Sequence, residues 1–214
     1  MTIQAIECLG VVLAGGLSSR MGQDKAQLKR QQRLPFSTEK SAESMLDFSK
    51  QLLANAGIKN IVVSGDNHQI PDRVANAGPV GGIYSVLAHY PEQLQPKALL
   101  ILPVDLPLMT AAALSDLRRK GELSHKATFF HDSQKNSHHI PLYLPNNAFL
   151  QLFLKQAFQR ETMQANNVKS NNKSGPSVRG MLEHVPHQAI ASLNSQVLFN
   201  SNTPEQWQQA QKQF

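Results

Sequence analysis

Leu99-Leu100-Ile101-Leu102-Pro103-Val104-Asp105-Leu106-Pro107 decides the fold. From Leu99 to Val104 every position is apolar, so the strand it predicts has no face for water. Strands of that kind belong to parallel sheets covered by helices on both sides. The run then stops at a carboxylate held in a loop between Pro103 and Pro107. In open parallel sheets, ligands gather beyond the carboxyl ends of the strands. Asp105 stands in that place, and a carboxylate there can hold Mg²⁺, which prefers hard oxygen ligands and substrate phosphates. The plainer alternative is a loop aspartate making a turn hydrogen bond.

Outward from this strand, strands and helices alternate. Ile6 to Ala14 reads as a buried strand ending in Gly15-Gly16, and Ile61-Val62-Val63 as a short β-branched one. Met45, Phe48, Leu52 and Ala56 recur at helical spacing, with Ser41 as the expected N-cap and Gly57 as the stop. Gly82–His89 reads as a helix. Thr110 caps another through Arg119, with Gly121 ending it. Thr128–Phe130 and Leu142–Leu144 read as shorter strands. Ala148–Phe158 is helical, with Phe149, Leu152, Phe153 and Ala157 expected on its packed side. Thr203-Pro204-Glu205-Gln206 has the form of a capping box with proline at the first helical position. The whole predicts an α/β fold: one domain over 1–214, a mostly parallel sheet with helices on both faces. Polar loops are expected at about 29–40 and 164–176; neither reads as a linker.

The composition narrows the function. Among 214 residues, 21 Lys+Arg stand against 15 Asp+Glu, a net charge of +6. That suits an anionic small substrate as well as it suits nucleic acid. Aromatics make up only 6% and do not interleave with a basic stripe, so nucleic acid is not the expected partner. Cys8 is the only cysteine, which excludes an internal disulfide and fits a reducing cytoplasm. It falls inside the first strand and reads as core. No apolar run is long enough to span a membrane, and the N-terminal stretch lacks the shape of a signal peptide.

The first strand opens into Leu13-Ala14-Gly15-Gly16-Leu17-Ser18-Ser19-Arg20-Met21-Gly22-Gln23-Asp24-Lys25. Glycines let backbone approach a ligand, and exposed N–H groups there can cradle phosphate oxygens. Arg20 and Lys25 add positive charge. The pattern is neither G-x-G-x-x-G nor G-x-x-x-x-G-K-[ST], so neither a dinucleotide fold nor a P-loop follows. Asn200 and Asn202, two apart, would share one face of an extended chain; one of them could instead merely cap the following helix. His138-His139 is a poor chelating pair, because neighbours on a strand point to opposite faces.

The stretch LAGGLSSRMGQDK resembles the signature of the molybdenum cofactor guanylyltransferases (MobA), within the nucleotidyltransferases of Rossmann-like fold. Gly78-Pro79-Val80-Gly81-Gly82, Pro103-Val104-Asp105-Leu106-Pro107 and Phe199-Asn200-Ser201-Asn202-Thr203-Pro204-Glu205 resemble three further family motifs, in order. The resemblance implies transfer of GMP from GTP to molybdopterin with release of pyrophosphate. It assigns Arg20, Lys25 and Asp105 to catalysis, with Mg²⁺ on Asp105. It puts Leu13, Ala14, Gly15, Gly16, Lys25, Ser64, Asp72 and Asp105 around the nucleotide, although Asp66 competes with Asp72. Gly78, Gly82, Asn200 and Asn202 fall on the acceptor side. Partners implied are GTP, molybdopterin and other cofactor-biosynthesis proteins, in the cytoplasm, with neither nucleic acid nor membrane. Two departures touch the acceptor side. The 29–40 stretch is more polar than the family's short turn, and Arg179 is out of register with the basic residue the family carries near Val178. Alternatives are a sister enzyme using CTP or another phosphorylated acceptor, and a nucleotide-binding homologue without catalysis. Family members using CTP tend to have Ala-Ala-Gly where this chain has Ala14-Gly15-Gly16, which favours GTP.

Overall fold

The structure, a computed structural model, describes residues 5–15, 24–33, 40–164 and 175–214. Its main sheet has six strands in the order β4-β1-β5-β7-β6-β8. These are β1 Leu9–Leu13, β4 Asn60–Ser64, β5 Ala98–Pro103, β6 Ala127–His131, β7 Ser137–Pro145 and β8 His187–Ala191. β1 pairs in parallel with both β4 and β5, and β6 with β8; only β7 runs against its neighbours. The parallel half therefore puts the carboxyl ends of β4, β1 and β5 side by side.

Alternation along the central strands divides the interior into two cores. Val12, Leu100 and Leu102 face one way, toward Phe48 and Leu52 of α1 (Met45–Asn55), Leu114 and Leu117 of α3 (Ala111–Ser124) and Trp207 of α6 (Pro204–Gln211). Val11, Leu99 and Ile101 face the other, toward Val80 and Ile83 of α2 (Gly78–His89), Leu150 and Leu154 of α4 (Ala148–Gln164) and Met181 of α5 (Val178–Leu182). Leu99, Leu100 and Ile101 are each fully buried, and such a side chain contributes about 1.5–3 kcal/mol. The apolar run is thus explained by two cores, one on each face.

Four local expectations are corrected. Ser41 does not cap α1: it lies in β3 (Lys40–Ser44), and Ser44 is the cap, its oxygen accepting from the Asp47 amide. The 29–40 stretch is not simply a loop, because β2 (Lys29–Arg33) pairs antiparallel with β3. Apart from Ala42 both strands are polar, so a backbone ladder holds them and hydropathy cannot reveal them. Residues 34–39, like 165–174 of the second polar loop, lie outside the described residues. Gly121 does not stop α3 but sits within it, and a Cβ there would lie 2.1 Å from the Tyr143 ring. The glycine lets the helix press onto β7, and His125, in the left-handed region at φ 55°, ends it. On α4 the packed stripe is Leu150, Leu154 and Phe158, while Phe149 and Leu152 are exposed. Two apolar stripes share helical spacing there, and only the sheet selects between them. The Thr203 capping box forms as the sequence predicts.

Candidate functional site

Two groups of residues meet at the carboxyl ends of the parallel strands. The first forms around β1 and β4. The Ala14 amide donates to the Ser64 carbonyl at 2.9 Å, and the Val104 amide to the Leu13 carbonyl at 3.3 Å, which fixes the end of β1 between its neighbours. Gly15 touches Gly65: a Cβ on Gly65 would lie 2.8 Å from the Gly15 nitrogen. Gly65 also has φ +151°, a conformation that L side chains rarely adopt. Its own amide bonds to the Ile70 carbonyl at 3.0 Å, and Ile70 returns to Val63, which turns the chain so that Asp72 comes back against Gly15. A Cβ on Gly15 would meet Asp72 Oδ2 at 3.3 Å, and one on Gly82 would meet Ser64 Oγ at 3.3 Å and Leu13 at 3.0 Å. Leu13, Ala14, Gly15, Ser64, Asp72 and Gly82 thus surround one spot. Ser64 is buried and its hydroxyl has no hydrogen-bond partner among the described residues. Burial pushes the Asp72 carboxyl above its ordinary range, and the Asp66 charge adds to the rise.

The second group centres on Asp105. Lys25 opens a single 3-10 turn, Lys25–Gln27, capped by the Asp24 carboxylate on the Ala26 amide. From there Lys25 Nζ donates to Asp105 Oδ2 at 3.1 Å and to Asn202 Oδ1 at 2.5 Å. The Lys25 and Asp105 side chains are each 17% exposed. The other carboxylate oxygen, Oδ1, is buried without a hydrogen-bond partner among the described residues. Buried polar atoms are normally satisfied, so an orphan acceptor needs a reason. It fits a cation: Mg²⁺ is commonly held by one or two carboxylates and completed by substrate phosphates and water. Among the described residues no cluster of three or more His, Cys, Asp or Glu could hold a metal unaided. Asp105 could hold such an ion together with a substrate.

The remaining expectations divide. Ser201, to which the motif assigns no role, is buried between the two asparagines, and its amide and hydroxyl both donate to the Asp105 carbonyl, at 2.9 and 3.4 Å. The side chain of Asn202 joins Lys25, whereas Asn200 is exposed and makes no hydrogen bond to that pair. Gly78 opens α2 at φ +65° with no atom within 4 Å of where a Cβ would stand. Gly16 and Arg20 lie outside the described residues. Gly65 has no assigned role either; its only sequence signal is a glycine placed just after a β-branched strand. His138 and His139 go separate ways, the first to Asp132 at 3.6 Å and the second onto the Phe129 ring. Burial pushes the Cys8 thiol up to about 12, far from a nucleophile's range. Arg179 is exposed in a loose pair with Glu183.

A parallel-edged sheet with a glycine turn after its first strand, and a carboxylate and lysine paired beside it, defines a nucleotidyltransferase-like protein. The domain model described as MobA-like NTP transferase matches residues 10–166, so the chain belongs to the MobA-like NTP transferase family. A relative from Xanthomonas euvesicatoria pv. vesicatoria, named molybdenum cofactor guanylyltransferase, is 32% identical over 203 residues, which is 92% of this chain and 91% of the relative. Among solved structures, molybdopterin-guanine dinucleotide biosynthesis protein A from Archaeoglobus fulgidus superposes with a TM-score of 0.66 at 16% identity, covering 95% of this chain and 97% of that one. The 2-C-methyl-D-erythritol 4-phosphate cytidylyltransferase of Thermus thermophilus shares the fold at a TM-score of 0.54 and 12% identity, covering 98% of both chains.

Proposed function

We propose that the protein transfers GMP from GTP to the terminal phosphate of molybdopterin and releases pyrophosphate. The observation that supports this reading is the junction of Lys25, Asp105 and Asn202, where the residues expected on the nucleotide side meet one expected on the acceptor side. The relative from Xanthomonas, matched over nearly the whole of both chains, supports the choice of nucleotide and acceptor.

An oxygen of the acceptor phosphate attacks the α-phosphorus in line; the new P–O bond forms as the bond to the pyrophosphate oxygen breaks. Reactions of this kind need positioning and charge neutralisation more than a protein nucleophile. Gly15 and Gly65 keep side chains away from the place where the nucleotide lies, and Ser64 offers it a hydroxyl. Asp72 is aimed at the same space and accepts hydrogen bonds from base or sugar. Lys25 and Arg20 hold the triphosphate and favour the departing pyrophosphate. Asn202 orients the acceptor, with Asn200 and Gly78 along its path, whereas Gly82, expected on that side, lies against Leu13 and Ser64 at the nucleotide end. Asp105 would hold Mg²⁺, whose contribution when bound is to neutralise charge on the phosphate oxygens. In this reading the protein works in the cytoplasm beside other cofactor-biosynthesis proteins; no described helix is long and apolar enough to cross a membrane.

The test is pyrophosphate release from GTP in the presence of molybdopterin, with CTP and ATP as competitors. Turnover should be specific for GTP and fall sharply in Lys25→Ala and Asp105→Ala. Normal turnover by either variant contradicts the reading, and a preference for CTP moves it to the sister reaction.

A further inference from the structure

Arg30 stands on β2, shortly after Lys25, and no step above uses it. Its guanidinium lies between two aromatic rings, 4.3 Å from the centroid of Phe48 and 4.5 Å from that of Phe214. Its Nε donates to the carbonyl of Pro107 at 3.2 Å. Across the β2–β3 ladder its register partner is Glu43, whose charge favours the cation while burial opposes it. A slot between two rings calls for an apolar side chain if packing is all that matters. A half-buried guanidinium has to offset its lost hydration, and here it does so through the rings, Glu43 and one backbone carbonyl.

That carbonyl belongs to the loop that carries Asp105. At one end of the loop Ser201 donates twice to the Asp105 carbonyl, and at the other Arg30 takes Pro107. Phe214 meets Trp207 of α6 edge-on at 6.0 Å between ring centroids, and α6 begins just after Asn202. Arg30 thus touches the loop that supplies Asp105 and, through Phe214, meets the end of the chain beyond α6, while following the turn that supplies Lys25 by a few residues.

We propose that Arg30 is a positioning residue, tethering Pro107 so that Asp105 keeps register with Lys25 and Asn202. This rests on the reading of Asp105 given above. Sub-ångström placement matters in such a site, since a misplacement of about 1 Å can cost on the order of 100-fold in rate. The base and sugar end of the nucleotide site, packed separately through Gly15, Gly65 and Ser64, does not depend on the tether, so most of the ground-state binding of GTP is kept.

Arg30→Met separates the two roles, because it fills the slot with a stem of similar length and removes the donor. The expected result for the folded variant is a fall of about tenfold in kcat for GTP turnover, with KM for GTP changed by less than about twofold. Arg30→Lys, which can stack and still reach the carbonyl, should recover most of kcat. A folded Arg30→Met with wild-type kcat overturns the proposal, as does an Arg30→Lys no faster than Arg30→Met. Should Arg30→Met fail to fold, Arg30→Lys decides: retained kcat supports the tether and lost kcat overturns it. Asp105→Asn is the control. If it turns over normally, the reading of the site falls; if it is inactive while Arg30→Met is unimpaired, only the tether falls.

Discussion

The two halves of the sheet treat their polar residues in opposite ways. At the antiparallel end two polar clusters are paired within themselves. Asp132 accepts from two amides and the Asn136 side chain, with His138 beside it, and Gln188 donates to Ser124 and Thr128. At the carboxyl ends of β4, β1 and β5, the Ser64 hydroxyl and Asp105 Oδ1 are buried without partners among the described residues, and Lys25 is shared between Asp105 and Asn202. A fold settles its polar groups wherever it can. Groups left unsettled beside a strand end are where the proposed reading seats its ligand, and there local consistency would give way to function.

The strongest way to break that contrast is to neutralise the orphan carboxylate. Asp105→Asn should lower GTP turnover by about 100-fold or more, read as pyrophosphate release, while the fold survives. An equally conservative change in the other half, Asp132→Asn, should leave turnover intact.

Two glycines sharpen it further. Gly65→Ala forces a Cβ against Gly15 in a disfavoured conformation, at a cost of about 1–3 kcal/mol. The strain falls on the nucleotide loop, so GTP affinity by calorimetry should drop along with the melting temperature. Gly121→Ala drives a Cβ into the Tyr143 ring, an overpacking of about 1–3 kcal/mol. There the melting temperature should drop while GTP affinity holds.

Asp72 gives a smaller effect with a definite sign. Its folded pKa lies above the unfolded one, mainly through burial and then through Asp66. The folded chain holds the extra proton between the two values, so stability falls as pH rises through that window. At neutral pH the charge is therefore a standing cost. Asp72→Asn should melt slightly higher at pH 7 and yet bind GTP more weakly. A loss of stability, or unchanged affinity, would remove Asp72 from the site.

The smallest effect belongs to His139. Burial, then the nearby Arg179, hold its folded pKa below the ordinary imidazole value. The unfolded chain takes up the proton first as pH falls, so stability declines just below that ordinary value. His139→Gln should flatten the decline in melting temperature without altering turnover.

How much of this was legible beforehand depended on the kind of signal. The Leu99–Val104 run and the Thr203 capping box announced themselves, because burial on both faces and a helix cap each leave a local pattern. The β2–β3 ribbon left none, since its ladder is backbone and its side chains are nearly all polar. Asp105 was visible as a charge ending an apolar strand. Ser201 and Gly65 were not, since their importance lies in what lies across from them: the Asp105 carbonyl in one case and the Gly15 backbone in the other. Arg30 was hidden likewise, its two rings and its carbonyl being distant in sequence.

The most direct test of the central claim is the melting temperature with GTP, CTP or ATP, each with Mg²⁺, in the native protein and in Asp105→Asn. A ligand that binds only the folded state raises it by mass action. The account predicts a rise with GTP well beyond that with CTP or ATP, and its reduction in Asp105→Asn. An equal response to all three nucleotides, or a GTP response untouched by the substitution, would contradict it.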